Sequence, residues 1–290
     1  MHDVRRRVRA VTSVKQITRA MELVAAAKLR RAQDRVRALR PYAGAMEGVL
    51  RRLAATAPDI DHPLFQVRDV SRVGIAFITG DRGLCGGYNA NIVRQVQQLV
   101  AEEANTGRRV ALVAIGRRGR EYFRRRGFEL LSEHTGLGEN PTFAAAREIA
   151  RSLVALFRDG RLDEVRVVYT EFAASLLQRP REAVLLPLRV GRDGEAAPPA
   201  GAAMPLDYIY EPSPGRVLEQ LVPDYIEACM FHYLLEAKAA EQRSRMTAMK
   251  VATDNADEMI AELTLEANRL RQTSITREIS EIVGGTEALR

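Results

Sequence analysis

The stretch VGIAFITGDRGLCGGYNANIVR, residues 73–94, decides the class of the fold. Its first seven residues form a continuous apolar run rich in β-branched side chains, which is typical of a strand buried on both faces. A glycine-rich turn follows, and from residue 89 the apolar residues have helical spacing. Residues 110–115 (VALVAI) and 117–126 repeat the same order of strand and helix. This alternation predicts a mainly parallel sheet covered by helices on both faces.

The alternation continues toward the C-terminus of this central region. Further strands are predicted at 128–131, 164–170 and 182–188, and a further helix at 142–157. No helical segment separates the last two strands, so we expect them to form an antiparallel hairpin at the sheet edge. We therefore predict a central Rossmann-like α/β domain over residues 70–190. Residues 191–213 are rich in Gly, Pro and Ala and predict a linker.

Outside this domain, long helices are predicted at both ends of the chain, over residues 1–57 and 214–290. Residues 1–40 contain neither Gly nor Pro, and from Ala25 to Ala57 the apolar residues alternate at spacings of three and four. That spacing is typical of a coiled-coil seam. Two long helices, each with one apolar stripe, bury those stripes most economically against each other. The prediction is an antiparallel coiled coil of the N- and C-terminal helices.

Two details of the N-terminal helix qualify this prediction. Ile17, Met21 and Val24 have the seam spacing but are out of phase with the seam that begins at Ala25. Pro41 lies inside the pattern, where it removes one backbone hydrogen bond and predicts a kink.

Composition excludes several classes of protein. The chain has 290 residues, of which 46% are hydrophobic and 28% charged, so it is not a disordered chain. No window approaches the roughly 20 apolar residues of a membrane-spanning helix. Cys85 and Cys229 lie far apart in the sequence, which argues against a disulfide framework and against a zinc site.

Positive charge is concentrated at the N-terminus. Residues 1–52 contain 14 basic and 4 acidic residues and so carry +10, whereas the whole chain carries +7. An Arg-rich amphipathic segment is typical of a mitochondrial transit peptide and also of a nucleic-acid-binding arm. The segment lacks interleaved aromatic residues, and its apolar seam requires a packing partner, so we expect no binding of nucleic acid.

The turn at residues 80–87 lies where α/β folds bind phosphates, but its glycines match neither dinucleotide-binding nor P-loop spacing. We expect its exposed residues Asp81 and Arg82 to meet a protein partner. The four histidines occur singly, so no metal site is expected. Cys85 has no histidine in sequence reach that could act as a base, and we predict no catalytic residues and no cofactor.

Three blocks of sequence resemble one known family. Residues 17–43 (ITRAMELVAAAKLRRAQDRVRALRPYA) resemble the N-terminal helix of the gamma subunits of F-type ATP synthases, and residues 80–94 (GDRGLCGGYNANIVR) resemble their central loop. Residues 240–260 (AEQRSRMTAMKVATDNADEMI) and 271–285 (RQTSITREISEIVGG) resemble their last helix. The resemblance spans essentially the whole chain and begins by Val4, so we expect no cleaved transit peptide.

The resemblance implies a central rotor shaft that couples proton flow through a membrane c ring to ATP synthesis or hydrolysis at the beta subunits. It implies as partners the alpha and beta subunits, the epsilon subunit and the c ring. It also implies a non-catalytic subunit, without direct insertion into the membrane, on the cytoplasmic side of the bacterial cell membrane. A stand-alone nucleotide-binding α/β protein is the alternative.

Individual residues carry over from the same resemblance. Met21 matches a methionine that faces an acidic loop of the beta subunit. The positive charges of Arg19 and Lys28 are expected to attract that acidic loop. Contacts with loops of the alpha and beta ring are implied for Arg245, Arg271, Gln272, Thr276 and Glu278. The apolar end of the last helix, expected to turn inside a hydrophobic sleeve, comprises Ile275, Ile279, Ile282 and Val283. Tyr208 and Glu211 match the foot near the c ring and the epsilon subunit.

The sequence also departs from its relatives. Its N-terminus is shorter and, over residues 5–9, unusually cationic, which leaves the contacts of that end open. No additional cysteine pair interrupts the central domain, so the thiol switch of chloroplast relatives is expected to be missing. Thr273 stands where many relatives carry alanine.

Overall fold

The computed structural model describes residues 2–56, 62–172, 179–188, 211 and 213–287. It divides the chain into two compact units. The helical unit consists of Met1–Ala27 and Arg243–Arg290, and the α/β unit consists of Lys28–Gln242. Both unit boundaries fall inside the two long terminal helices. The linker predicted at residues 191–213 lies almost entirely outside the described residues, and the domain boundaries stay a prediction.

The elements follow the order that the sequence predicts. They are α1 (His2–Thr56), β1 (Arg72–Ile78), α2 (Tyr88–Asn105), β2 (Arg109–Ile115), α3 (Arg117–Arg124), β3 (Leu130–His134), α4 (Phe143–Arg158), β4 (Glu164–Thr170), β5 (Pro180–Leu186) and α5 (Pro214–Glu287). Helix α1 continues through Pro41 and α5 continues through Pro223. The kink expected at Pro41 stays a prediction.

The five strands form one sheet in the order β3-β2-β1-β4-β5. The first four are parallel, and β5 pairs with β4 antiparallel, which confirms the edge hairpin. Strand β3 begins two residues later than expected. Phe128 belongs to the turn after α3, where its N–H donates to the Phe123 carbonyl at 3.2 Å. The Phe128 ring also packs edge-on against that of Phe123, 5.3 Å away.

Two hydrophobic clusters cover the two faces of the sheet. Residues of α2 and α3 form one cluster around Phe77 and Phe123. Residues of α4 and of the α/β unit's parts of α1 and α5 form the other, around Leu50, Phe157 and Ile226. Burial on both faces explains why β1 is apolar at every position after Arg72.

An ion cluster fastens α5 to α4 within the α/β unit. The carboxylate of Glu227 is only 4% exposed and accepts hydrogen bonds from Arg147 at 2.8 Å and from Arg151 at 3.0 Å. Both arginines lie on α4, one turn apart, so the two guanidiniums reach the same carboxylate. Because removal of one partner would leave a buried charge, the cluster fixes the register between the two helices.

Candidate partner-binding surfaces

In the helical unit, α1 and α5 pack antiparallel through a mixed polar and apolar seam. The hydroxyls of Thr18 and Thr253 are both buried and lie 2.8 Å apart. Lys15 and Asp257 form an ion pair one turn further along. From the first pair to the second, the residue number decreases in α1 and increases in α5, which confirms the antiparallel arrangement.

A second apolar stripe of α1 lies outside this seam. It consists of Val14, Ile17, Met21 and Val24, which we call the outer stripe. Ile17 is 59% exposed, Val14 and Val24 are similarly exposed, and Met21 is half-buried. The out-of-phase spacing in the sequence therefore marks a separate surface, because the buried seam uses Thr18 and Ala25 instead. An ordered apolar stripe on the surface of a single chain indicates a protein-binding surface.

The last turns of α5 extend past the beginning of α1. Continued along the antiparallel register, residue 2 of α1 lies opposite about residue 270 of α5. Ile275, Ile279 and Ile282 in the following turns are exposed, Ile282 by 70%. A helical segment of this length is marginal in water by itself. These three side chains, which we call the apolar tip, thus form a surface that a partner can cover.

The other expected contacts differ in their surroundings. Arg271, Gln272 and Thr276 are exposed, whereas Arg245 is buried, at 8% exposure. The described residues include the backbone of Glu278 but not its side chain, and Tyr208 lies outside them. Glu211 is exposed. Each of these contacts stays a prediction.

Both cations beside Met21 already have carboxylate neighbours within the chain. Arg19 donates to Glu22 of the same helix at 2.9 Å. The ammonium of Lys28 lies 3.2 Å from Glu139 of the α/β unit, and Glu139 also lies 3.9 Å from Lys238. An acidic partner would therefore have to compete with Glu139 for Lys28.

The loop between β1 and α2, residues 79–87, is anchored at both ends. The Gly80 N–H donates to Asn89 at 2.9 Å, and the Asp81 carboxylate accepts from the Arg117 N–H at the start of α3, also at 2.9 Å. Cys85 is buried and accepts from Asn89 at 3.2 Å. Asp81 therefore caps a helix, while Arg82 remains exposed at the end of the loop.

Leu84 at the tip of this loop has an unusual backbone conformation. Its φ is +62°, in the left-handed region, and its side chain is 64% exposed. It is the only residue other than glycine with positive φ in the described part of the chain. A leucine there costs roughly 1–2 kcal/mol in the folded chain. The loop thus holds an apolar side chain in solvent at an energetic cost, as strained residues at functional sites do.

The place where doubly wound folds bind nucleotides is filled in this chain. Beyond the carboxyl ends of β1 and β2, Leu234, Ala237, Lys238 and Glu241 of α5 leave a cavity of about 30 Å³. Ligand pockets usually measure roughly 300–1,000 Å³. This volume is far below that of an ordinary ligand pocket, so the geometry at residues 80–87 does not favour the alternative of a nucleotide-binding protein.

Comparison with known proteins identifies the family. A family model described as ATP synthase matches residues 1–289. The ATP synthase gamma chains of Heliobacterium modesticaldum and Moorella thermoacetica are each 49% identical to this chain, covering 100% of it and 99% of their own length. The chain belongs to the ATP synthase gamma chain family.

Solved structures of rotary ATP synthases share the fold of this gamma-family chain. A central-stalk chain of the Tetrahymena thermophila mitochondrial ATP synthase matches with a TM-score of 0.62 and 24% identity, covering 82% of this chain and 99% of that one. A chain of the Euglena gracilis mitochondrial enzyme matches with a TM-score of 0.69 and 16% identity, covering 99% and 94%. At such identities the likeness supports the fold alone.

Within the described part of this gamma-family chain, no His, Cys, Asp or Glu residues are grouped so as to hold a metal ion. None of the described helices has the length and apolarity needed to cross a bilayer. Burial raises the pKa of the Cys229 thiol to about 12, which leaves very little reactive thiolate at neutral pH.

Substitutions at Leu84 test the backbone strain of the loop. Asparagine tolerates the left-handed region, so Leu84→Asn should stabilise the chain by roughly 0.5–1 kcal/mol. Leu84→Val keeps an apolar side chain but adds β-branching, so it should destabilise the chain. Denaturant unfolding of the two variants measures both signs. Equal effects of the two substitutions would show that the strain has no energetic consequence.

Proposed function

We propose that this chain is the central rotating shaft of an F-type ATP synthase. In this function the helical unit occupies the centre of a ring of alpha and beta subunits, and the α/β unit stands on a c ring beside an epsilon subunit. Rotation driven by proton flow changes the nucleotide affinity of each beta subunit in turn. Family membership supports this function, and the observation that carries it is the exposed apolar surface of the helical unit.

The outer stripe and the apolar tip suit a shaft enclosed by other subunits. Their side chains are aliphatic, so they bind without directional hydrogen bonds and lose little when they slide past a similar surface. Full burial of one isoleucine or valine contributes about 1.5–3 kcal/mol. Contacts of this kind hold the shaft in a sleeve while leaving it free to turn.

The same magnitudes are sufficient for coupling. A tenfold change in nucleotide affinity at one beta subunit requires about 1.4 kcal/mol of differential contact between its states. This is less than the burial of a single isoleucine. A difference between orientations in how far the ring buries one or two aliphatic side chains of the shaft is therefore sufficient.

We infer that Arg82 and Leu84 contribute a further contact with the ring. Arg82 and Leu84 are both exposed in a loop that is held by hydrogen bonds of Asp81 and Cys85. A rigid base with an apolar and a cationic tip fits a partner surface that combines an apolar patch with a carboxylate. Glu211, together with Tyr208, is assigned to the side of the c ring and epsilon.

The proposal makes the chain a non-catalytic subunit, peripheral on the cytoplasmic side of the membrane. Catalysis then belongs to the partner subunits, and this chain contributes mechanical coupling.

Reconstitution tests this function. Purified alpha and beta subunits of the same complex are mixed with this chain, and ATP hydrolysis and the composition of the assembly are measured. We expect one copy of this chain per ring and hydrolysis well above that of alpha and beta alone. Failure of the folded chain to join the ring would refute the proposal.

A further inference from the structure

Three arginines line a groove at the N-terminal end of the sheet, opposite the filled cavity. Arg72 begins β1, Arg109 begins β2, and Arg161 lies between α4 and β4. Together with Glu129 and an apolar floor that includes Ala111 and Leu131, they enclose about 370 Å³. We call this feature the arginine groove. Its volume is within the usual range for ligand pockets.

Strand pairing brings two of these arginines together. Arg72 and Arg109 are direct partners in the parallel pairing of β1 with β2, where neighbouring strands lie about 4.8 Å apart. Ala76 lies four residues after Arg72, and Ala111 lies two residues after Arg109. Both alanines belong to the hydrophobic cluster that includes α4. Because side chains alternate along a strand, both arginines project on that same face.

Glycine turns fix the backbone just before two of the three arginines, Arg161 and Arg109. Gly160 has a φ of +68° and ends α4, with the Arg161 N–H donating to the Leu156 carbonyl at 3.0 Å. Gly107 has a φ of +77° and ends α2 in the same manner, two residues before Arg109. These are helix ends of the Schellman type, which leave the following residue in a defined position. The guanidiniums therefore start from a rigid frame.

The positive charge of the groove is not balanced by ion pairs. Among the described residues, no carboxylate lies within 4.0 Å of the guanidinium of Arg72, Arg109 or Arg161, although other arginines of the α/β unit form such pairs. Asp163 lies two residues beyond Arg161, but its carboxylate accepts from the N–H groups of Ser71 and Arg72 at 2.9 and 2.8 Å. Burial alone would raise the pKa of Asp163, but these hydrogen bonds lower it, so it stays ionised and engaged with backbone.

We propose that the arginine groove binds a small anion with at least two phosphate-type charges. Guanidinium groups bind phosphate oxygens in bidentate geometry, and three of them converging on one groove match a multivalent anion better than a single carboxylate. Ala111 and Leu131 supply apolar contact to the ligand, and the carboxylate of Glu129 in the lining opposes further negative charge. The site is separate from the partner-binding surfaces and does not depend on the rotor function.

Titration calorimetry on the full chain tests the site, with pyrophosphate as the probe and ADP in a second arm. We expect saturable binding of pyrophosphate with one site per chain. Arg161→Gln should weaken it about tenfold, because a charge-assisted hydrogen bond is lost. Glu129→Gln should strengthen it roughly threefold, because a like charge is removed. Tighter binding of ADP than of pyrophosphate would identify the ligand as a nucleoside diphosphate.

A matched control separates a site from general attraction to a basic protein. Arg158 is exposed in the last turn of α4, three residues from Arg161, and does not line the groove. Arg158→Gln should change the affinity less than twofold. The proposal is overturned if pyrophosphate gives no saturable binding, or if Arg158→Gln and Arg161→Gln weaken it equally. Circular dichroism confirms that each variant is folded, and the opposite sign expected for Glu129→Gln excludes a common loss of structure.

Discussion

Replacement of Gly116 by alanine is expected to destabilise the α/β unit by at least about 4 kcal/mol. Gly116 has a φ of +101°, and a Cβ atom added there would lie 2.0 Å from the carbonyl oxygen of Thr79. That oxygen belongs to backbone, and Thr79 is itself held by a 2.8 Å hydrogen bond from its N–H to the Ile115 carbonyl. Because neither side can move independently, the ends of β1 and β2 must separate.

Denaturant unfolding of Gly116→Ala measures this loss, and Gly107→Ala is its matched control. Gly107 also has positive φ, at +77°, but an added Cβ would meet no atom within 4 Å. Its substitution should cost only the conformational penalty, roughly 1–2 kcal/mol. Similar losses for the two variants would mean that backbone conformation, rather than the contact with Thr79, determines the need for glycine.

The second large effect is expected on assembly and not on folding. Ile17→Asp places a charge in the outer stripe, where the side chain is already exposed, so the stability of the isolated chain should change by less than about 0.5 kcal/mol. If the outer stripe contacts the ring as proposed, the same charge has to be buried against the partner in the complex. We expect association with the alpha and beta ring to weaken at least about thirtyfold, since a central interface residue is worth about 2 kcal/mol or more.

Gln16→Asp is the control for this substitution. Gln16 is exposed and lies about 100° around the helix from Ile17. Its replacement by Asp introduces the same change of charge. Its variant should join the ring with nearly normal affinity, as measured by co-purification with alpha and beta subunits and by ATP hydrolysis. If both variants assemble normally, the outer stripe does not contact the ring. If both fail, the effect is one of charge and not of position.

The sequence predicts the fold well where one physical pattern dominates. Strands β1, β2 and β4 are found within one residue of their expected bounds, because continuous β-branched runs buried on two faces have no other stable arrangement. Strand β3 is shifted because Phe128 is as apolar as a strand residue but belongs to the end of α3. Burial of its ring against Phe123, and not periodicity, determines its place.

The candidate surfaces were only partly predictable. Ile17, Met21 and Val24 have the spacing of a seam, and spacing alone does not distinguish a stripe that faces a partner helix from one that faces another protein. Of the outer stripe only Met21 is expected from the sequence as a contact residue, and Leu84 is not expected as one. Leu84 lies between Gly83 and Cys85, and nothing in its own chemistry indicates that it has a positive φ, as Gly86 does.

Contacts between distant residues account for the remaining differences. Lys28 pairs with Glu139, and Arg72 lies beside Arg109, only because the fold brings their elements together. Helical or strand periodicity has no information on such pairs. Sequence reasoning therefore predicts partner contacts for residues of both terminal helices, but it gives no indication of the arginine groove.

The buried hydroxyl pair of Thr18 and Thr253 has a consequence for timing in a rotating shaft. A purely aliphatic seam tolerates slippage, since one methyl group replaces another at little cost. A slip of α5 by one residue would advance it by about 1.5 Å and turn it by about 100°, which would break the 2.8 Å contact between the two hydroxyls. Each hydroxyl would then keep only the carbonyl acceptor on its own helix, that of Lys15 for Thr18 and that of Met249 for Thr253. The pair thus favours one register between α1 and α5, and with it one angular position of the apolar tip relative to α1.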